Sequence, residues 1–405
     1  MGVALLALFA GLLTLALLLL LVCTLVLLLQ ICAAVSISGG RPTAAPMPAT
    51  LVRPRLAVLT PAHNESAGIL AVIRSIMPQL AVHDRLLVVA DNCTDNTAAL
   101  ARAAAAEVVE RSDGQLRGKG YALDLGVRHL SADPPEVVVI IDADCTLGPQ
   151  CLDRLASACI EANRPVQALY LMRSSLSAGL QTRLSEFAWV VKNLARPLGA
   201  SCLGLPTHLM GSGMAFPWSL ISVARLASGH IVEDLELGLD LAAAGSPPLF
   251  CPDAAVWSSF PAEQAGMATQ RTRWEHGHLG AIGRRAPRLL WRALTHGQLS
   301  LVALVLDLCV PPLAFLALLL VLSLIAAGVL WVAGPLLPLL LAVGATGLFG
   351  LAILLAWWQF GRQILSMREL LNLPAYALAK VPLYARFFRG RQTEWVRTER
   401  DHGEP

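Results

Sequence analysis

Two long stretches without a charged side chain bracket this chain. Residues 1–40 contain no Asp, Glu, Lys, Arg or His, and Leu5 to Leu29 is almost wholly aliphatic. A helix of roughly 20 apolar residues spans a bilayer, so this segment suffices. A secretory signal peptide fits it poorly, because no basic region precedes an apolar core that is too long. From Cys309 to Gly361 charge is again missing, which leaves room for spans at about 309–331 and 336–358, divided at Gly334-Pro335. With 56% hydrophobic and 15% charged residues, the composition is that of a membrane protein.

Three spans put the chain ends on opposite sides of the membrane. Basic residues flank the centre (Arg41, Arg53, Arg55 before it; Arg284, Arg285, Arg288, Arg292 after it) and crowd the tail (Lys380, Arg386, Arg389, Arg391), while the loop between the last two spans has none. The positive-inside rule then predicts a multi-pass protein of the inner membrane, with an external N-terminus and a cytoplasmic central domain and tail. The expected segments are a span within 1–40, a linker at 41–54 with four prolines, a globular domain at 55–298, two spans within 299–361, and a basic amphipathic tail at 362–405. A net charge of +3, with no basic stripe interleaved with aromatics, excludes a nucleic-acid partner. The nine cysteines follow no C-x-x-C spacing and read as reduced packing residues.

Within the centre, apolar runs and helical stretches alternate. RLAVLTPA (55–62) reads as a strand and precedes a helical stretch from Ser66 to about Leu80. DRLLVVADN (84–92) leads to an alanine-rich helix near 95–106, and 107–110 can form a short third strand. GYALDLGVRHL (120–130) reads as a helix before the strand EVVVIIDADC (136–145). This alternation predicts an α/β domain, a mostly parallel sheet with helices on both faces. Ligands of such sheets bind beyond the carboxyl ends of the strands. Three of those ends carry polar residues: His63-Asn64-Glu65, Asp91 with its neighbours, and Asp142-Ala-Asp144.

The paired aspartates carry the most information. Side chains at i and i+2 of a strand share a side, and two convergent carboxylates repel unless a cation or a shared proton relieves them. Mg2+ and Mn2+ are held by one or two carboxylates together with substrate phosphates. No GxxxxGK[ST] or GxGxxG loop supplies another phosphate cradle, so the metal would neutralise a diphosphate. Lys119 can add a point charge, against the plainer reading of a surface lysine. Glu233, Asp234 and Glu236 open a predicted helix ending at Gly245. Acids are favoured there by the helix dipole, yet a transferase without a covalent step needs a carboxylate base, and Asp234 is a candidate. QRTRWEHGH (270–278) combines arginines suited to diphosphate oxygens with a tryptophan suited to a sugar face. Its alternative is a juxtamembrane anchor, and its histidines make a poor zinc site. MGSGMAF (210–216) reads as a glycine-flexible loop.

In order, Asp91, Asp142/Asp144, Glu233-Asp234 and Gln270-Arg-Thr-Arg273-Trp274 resemble the motif series of family 2 glycosyltransferases with the Rossmann-like GT-A fold. The likeness is to the membrane-bound branch of cellulose, chitin and poly-N-acetylglucosamine synthases, and the terminal EWVRTER resembles that branch's tail. The resemblance implies a UDP-sugar donor. Asp91 would contact its nucleoside, Asp142 and Asp144 the nucleotide and a Mg2+ or Mn2+ ion, and Gln270 and Arg273 its diphosphate. His63, Asn64, Glu65 and Lys119 would complete the donor site. Asp234, beside Glu233, would be the base of an inverting transfer, with Gly211, Ser212 and Trp274 on the acceptor side. Met210 stands where the synthases usually carry cysteine, and no cyclic-dinucleotide-binding extension is evident. The implied product is a polysaccharide, with an export or polymerisation partner supplying helices that three spans lack. The alternatives are one transfer to a membrane lipid, as in ceramide glucosyltransferases, and an inactive nucleotide-binding scaffold.

Overall fold

A computed structural model describes residues 2–38, 53–175, 177–260 and 264–390, with side chains in the stretch after 264 described from Gln270 onward. Arg41, most of the linker and the EWVRTER tail lie outside the described residues. The chain divides into two compact units.

One unit, built from Pro42–Leu176 and Leu205–Gly277, holds an eight-stranded sheet. Its strands are β1 (Leu56–Ala62), β2 (Arg85–Asp91), β3 (Glu107–Arg111), β4 (Val137–Ile140), β5 (Thr146–Leu147), β6 (Val166–Arg173), β7 (Met214–Pro217) and β8 (Leu249–Ser259), in the order β3-β2-β1-β4-β7-β6-β8-β5. The first four pair in parallel with one another, as the strand–helix alternation predicts. Valines and isoleucines of β1, β2 and β4 are buried because helices cover both faces; Ala57, Leu59, Leu87, Val89, Val138 and Ile140 pack with Leu123, Val127 and Leu130 of the helix Lys119–Leu130. Registers Ala62↔Ala90, Asp91↔Arg111 and Leu59↔Ile140 bring the carboxyl ends of β1, β2 and β4 to one edge.

Beyond β4 the sheet turns mixed. β7 runs antiparallel to β4 with Ile140 opposite Met214, and β6 pairs parallel with β8. This corrects the reading of MGSGMAF as a loop: residues 210–213 form a turn, but Met214–Pro217 is a fully buried strand. The reversal matters for the site. An antiparallel β7 begins where the parallel β4 ends, so the turn before it sits beside Asp142.

The other unit comprises Met1–Arg41, Ser177–Gly204 and His278–Arg391. Three of its helices, Ala4–Ile37, Leu313–Trp331 and Leu337–Gly361, are long and apolar enough to cross a membrane. Leu27, Ile31, Phe187, Val191, Leu316 and Ile353 share its core. Among these apolar side chains lies a polar cluster: Arg196 Nη2 is 2.5 Å from Asp307 Oδ1, and Gln30 Nε2 donates to the same oxygen at 2.8 Å. Removing one partner of a buried ion pair leaves the other uncompensated, at about 3–5 kcal/mol. Asp307→Asn should therefore lower the thermal midpoint in detergent markedly. An unchanged midpoint would mean that Arg196 does not depend on this carboxylate.

Candidate active site

Three segments of the sheet unit converge on Lys119. Its Nζ lies 2.6 Å from Asp142 Oδ1 and 3.7 Å from Glu233 Oε1, and donates to the Gly211 carbonyl at 2.8 Å. Burial alone would lower this ammonium, but Asp142 and Glu233 outweigh it and hold it above the ordinary lysine range. Burial raises Asp142, and the neighbouring Asp144 charge raises it further against the pull of Lys119. Glu233 is pushed up to about 7, first by burial and then by Asp234, despite Lys119.

The paired aspartates do meet, but not by strand alternation: β4 ends at Ile140, and Asp142 and Asp144 lie in the turn after it, which the Cys145 amide closes on the Asp142 carbonyl at 3.0 Å. Ligand atoms of Asp142, Asp144 and Cys145 lie within 4.8 Å of one another. Asp144 is held on both oxygens: Oδ1 accepts from the Cys145 thiol at 3.3 Å and Oδ2 from Ser258 Oγ at 3.3 Å. Burial pushes the Cys145 thiol well up, so it stays protonated and leaves the two carboxylates as the donor set. Two oxygens on a concentrated negative charge fit a hard divalent cation such as Mg2+ or Mn2+.

The turn before β7 lies across this pair. Ser212 Oγ accepts from the Asp142 amide at 3.1 Å, while the buried Gln167 donates to the Ser212 carbonyl at 2.9 Å and accepts from the Met210 amide at 2.8 Å. Gly211 has φ +95, a conformation L side chains rarely adopt. A Cβ there would stand 3.5 Å from Asp234 Oδ2, 3.8 Å from Asp142 Oδ2 and 3.9 Å from Lys119 Nζ. One point of space thus faces the Asp234 carboxylate, the metal-type carboxylate of Asp142 and the Lys119 cation. Asp234 and Glu233 also differ in surroundings: Glu233 is turned to Lys119, Asp234 to this point.

Asp91, the last residue of β2, pairs with Arg111 at 2.7 Å and accepts from Asn92 Nδ2 at 3.0 Å. Its carbonyl is 2.7 Å from His63 Nδ1. Asn64 Oδ1 accepts from the Thr94 amide at 2.7 Å, and the Glu65 amide donates to Thr97 Oγ1 at 2.8 Å. The polar residues after β1 therefore knit the β1 and β2 ends together. Sequence reasoning missed Arg111, whose register opposite Asp91 was the only signal, and Ser258 on β8.

Gln270, Arg273 and Trp274 lie on the helix Gln264–Thr295. Gly277, one turn further on, presses against the Val232 side chain, the residue before Glu233. Only a residue without a side chain permits that approach. Gln270 is buried, and Arg273 Nε is buried with no hydrogen-bond acceptor among the described residues. A guanidinium nitrogen in that state suits an anionic ligand.

The profile of the family described as "Glycosyltransferase like family 2" matches residues 54–277, more than half of the sequence. The chain belongs to that family. A curated relative, "Probable glycosyltransferase YdaM" of Bacillus subtilis (strain 168), is 25% identical over 243 residues, covering 56% of this chain and 55% of the relative. A "4,4'-diaponeurosporenoate glycosyltransferase" of Staphylococcus aureus (strain MRSA252) is 35% identical over 94 residues, 22% of this chain and 24% of that one. The chain thus spans about half the length of the first relative and a quarter of the second. Among solved structures, the "Mannosyltransferase PcManGT from Pyrobaculum calidifontis in complex with GDP-Man and Mn2+" is 20% identical with a TM-score of 0.50, covering 92% of this chain and 100% of that chain. That likeness supports a GT-A-like fold.

Proposed function

We propose that the chain transfers a sugar, with inversion, from a UDP-sugar to an acceptor hydroxyl at the inner membrane, its catalytic domain facing the cytoplasm. The observation that carries this reading is the point beside Gly211, faced by Asp234, Asp142 and Lys119. Asp142 and Asp144 would hold Mg2+ or Mn2+, which when bound supplies positive charge to the departing diphosphate. Lys119 and Arg273 donate hydrogen bonds to diphosphate oxygens, Gln270 steadies them, and Asp91 receives the nucleoside. Asp234 accepts the acceptor's hydroxyl proton as that oxygen bonds to the anomeric carbon. The bond from this carbon to the diphosphate oxygen breaks on the opposite side, and its electron pair leaves with the nucleotide. Lys119 and Arg273 stabilise the charge that develops there. Glu233, held by Lys119, keeps the cation in place, while Ser212 and Trp274 flank the acceptor.

A growing polysaccharide is the acceptor in the first reading, with a partner protein completing an export path. A single membrane lipid is the second. It is favoured by the presence of three long apolar helices among the described residues, and one relative, of Staphylococcus aureus, is named a 4,4'-diaponeurosporenoate glycosyltransferase. Membranes containing the protein should be incubated with a panel of labelled sugar nucleotides and the product separated by solvent extraction. Label in material of high mass supports the polymer, and label in single-sugar lipid the second reading. No transfer from any donor would end both and leave a scaffold. A reporter fused after Gly390 should read as cytoplasmic; an external signal would overturn the topology.

A further inference from the structure

Two backbone segments of the sheet unit meet beside Lys119 at glycines. Gly118 and Gly120 stand on either side of that lysine, at the start of the helix Lys119–Leu130. A Cβ on Gly120 would lie 2.5 Å from the Leu226 carbonyl oxygen, 2.6 Å from that of Ser228 and 3.0 Å from Ser228 Oγ. One on Gly118, whose φ is +135, would lie 3.4 Å from both Gly229 Cα and the Ser228 carbonyl oxygen. The chain from Leu226 to Val232 is anchored at both ends. Leu226 is buried in the core that includes Leu123 and Val127 of the same helix. Val232 is buried against Gly277, where a Cβ would stand 2.3 Å from Val232 Cγ1. Between these anchors Ala227, Gly229 and His230 are exposed, and the middle of the segment rests on the two glycines. Glu233 and Asp234 follow Val232 directly.

We infer that residues 226–232 form a strap that sets Asp234 at its distance from Lys119, with Gly118 and Gly120 as its seat and Gly277 as its second hold. On the reading of Asp234 as the base and Lys119 as a diphosphate contact, these three glycines are positioning residues for the transfer. Side chains in contact can change rotamer and slip, whereas carbonyl oxygens set against a bare Cα leave the two backbones one spacing. That spacing is gauged from the right place. Gly118 and Gly120 are the chain neighbours of Lys119, whose ammonium lies 3.9 Å from the point that Asp234 faces at 3.5 Å. The strap therefore ties the backbone of the cation to the start of the helix Glu233–Ala243 that carries the base. Misplacing a reacting group by about 1 Å costs ~10²-fold in rate, so contacts that touch neither substrate still govern turnover.

The test uses the full chain in nanodiscs. In Gly120→Ala the added methyl meets two backbone oxygens, and the strap must lift. Turnover should fall by at least ~10²-fold, while affinity for UDP with Mn2+, read by calorimetry, stays near that of wild type. Gly229→Ala adds the same methyl to the strap where the nearest atom would be the Arg117 carbonyl oxygen at 3.5 Å, an ordinary contact, and should transfer at the wild-type rate. Gly277→Ala should lose turnover as Gly120→Ala does. Val232→Ala in the same chain removes the methyls in its way and should restore it. Maleimide reactivity of Leu226→Cys, resolved on its peptide by mass spectrometry, reads the strap without any transfer. It should rise at least about tenfold when Gly120→Ala is added, because overpacking a filled space shifts an opening equilibrium by that order. Failure of the base assignment shows separately, as normal turnover in Asp234→Asn with the labelling still raised. Normal turnover in Gly120→Ala, unchanged labelling, or no restoration by Val232→Ala would overturn the inference. So would a UDP affinity that falls together with rate in either glycine variant, which would mean that the donor side moves instead of the strap.

Discussion

Asp144→Asn should abolish detectable sugar transfer while leaving the sheet unit folded. The substitution keeps the side chain's shape and an oxygen to accept from Ser258 or Cys145. It removes one of the two charges on which a divalent ion would rest. Mn2+ affinity, measured by calorimetry with UDP present, should fall at least about tenfold, the equivalent of ~1.4 kcal/mol. Stability should move the other way. Asp142 is raised by burial and by the Asp144 charge, so the wild-type pair is held together against its own repulsion. Without metal, the Asn variant should unfold at a higher temperature than wild type, a trade of stability for function common at active sites. Chelation of the wild type should reproduce the loss of transfer. Full transfer in excess chelator, or unchanged Mn2+ affinity in the variant, would remove the metal role.

The sequence made the parallel half of the sheet legible because each strand there is a buried apolar run that stops at a polar residue. Asp91, Asp142 and His63 mark those stops, and the registers bring them to one edge. The antiparallel half was not legible in the same way. Met214–Pro217 is only four residues long and follows two glycines, so its local signal is that of a turn; pairing to β4 makes it a strand. Partners supplied by register are equally hidden. Ser258 is 114 residues from the Asp144 it supports, and Arg111 is 20 from Asp91. The convergence of Lys119, Asp142 and Glu233 depends on the turn at Gly211, where a positive φ and a close approach coincide. A motif series can order such residues along the chain, but it says nothing of which carboxylate faces which cation.

That distinction separates Asp234 from Glu233, and Asp234→Asn tests it. Asn keeps the size of the side chain and the start of the helix Glu233–Ala243 but cannot take a proton from a hydroxyl. If Asp234 is the base, UDP-sugar affinity should stay near wild type while turnover falls by at least ~10²-fold. A contact made only in the transition state lowers the rate without weakening ground-state binding. If Asp234 is only a favourable charge at a helix N-terminus, the loss should be ~0.3–1 kcal/mol of stability and little rate. Glu233→Gln should differ from both, because its carboxylate neighbours Lys119: loosening that ammonium should weaken donor affinity together with rate. Arg273→Ala should behave like Glu233→Gln, since a diphosphate is touched before and during its departure. Measuring donor affinity and turnover for the three variants in the same membranes assigns the roles. Near-normal turnover in Asp234→Asn would transfer the base to Glu233, whose position near neutrality allows proton transfer, or end the single-displacement mechanism if both variants stay active.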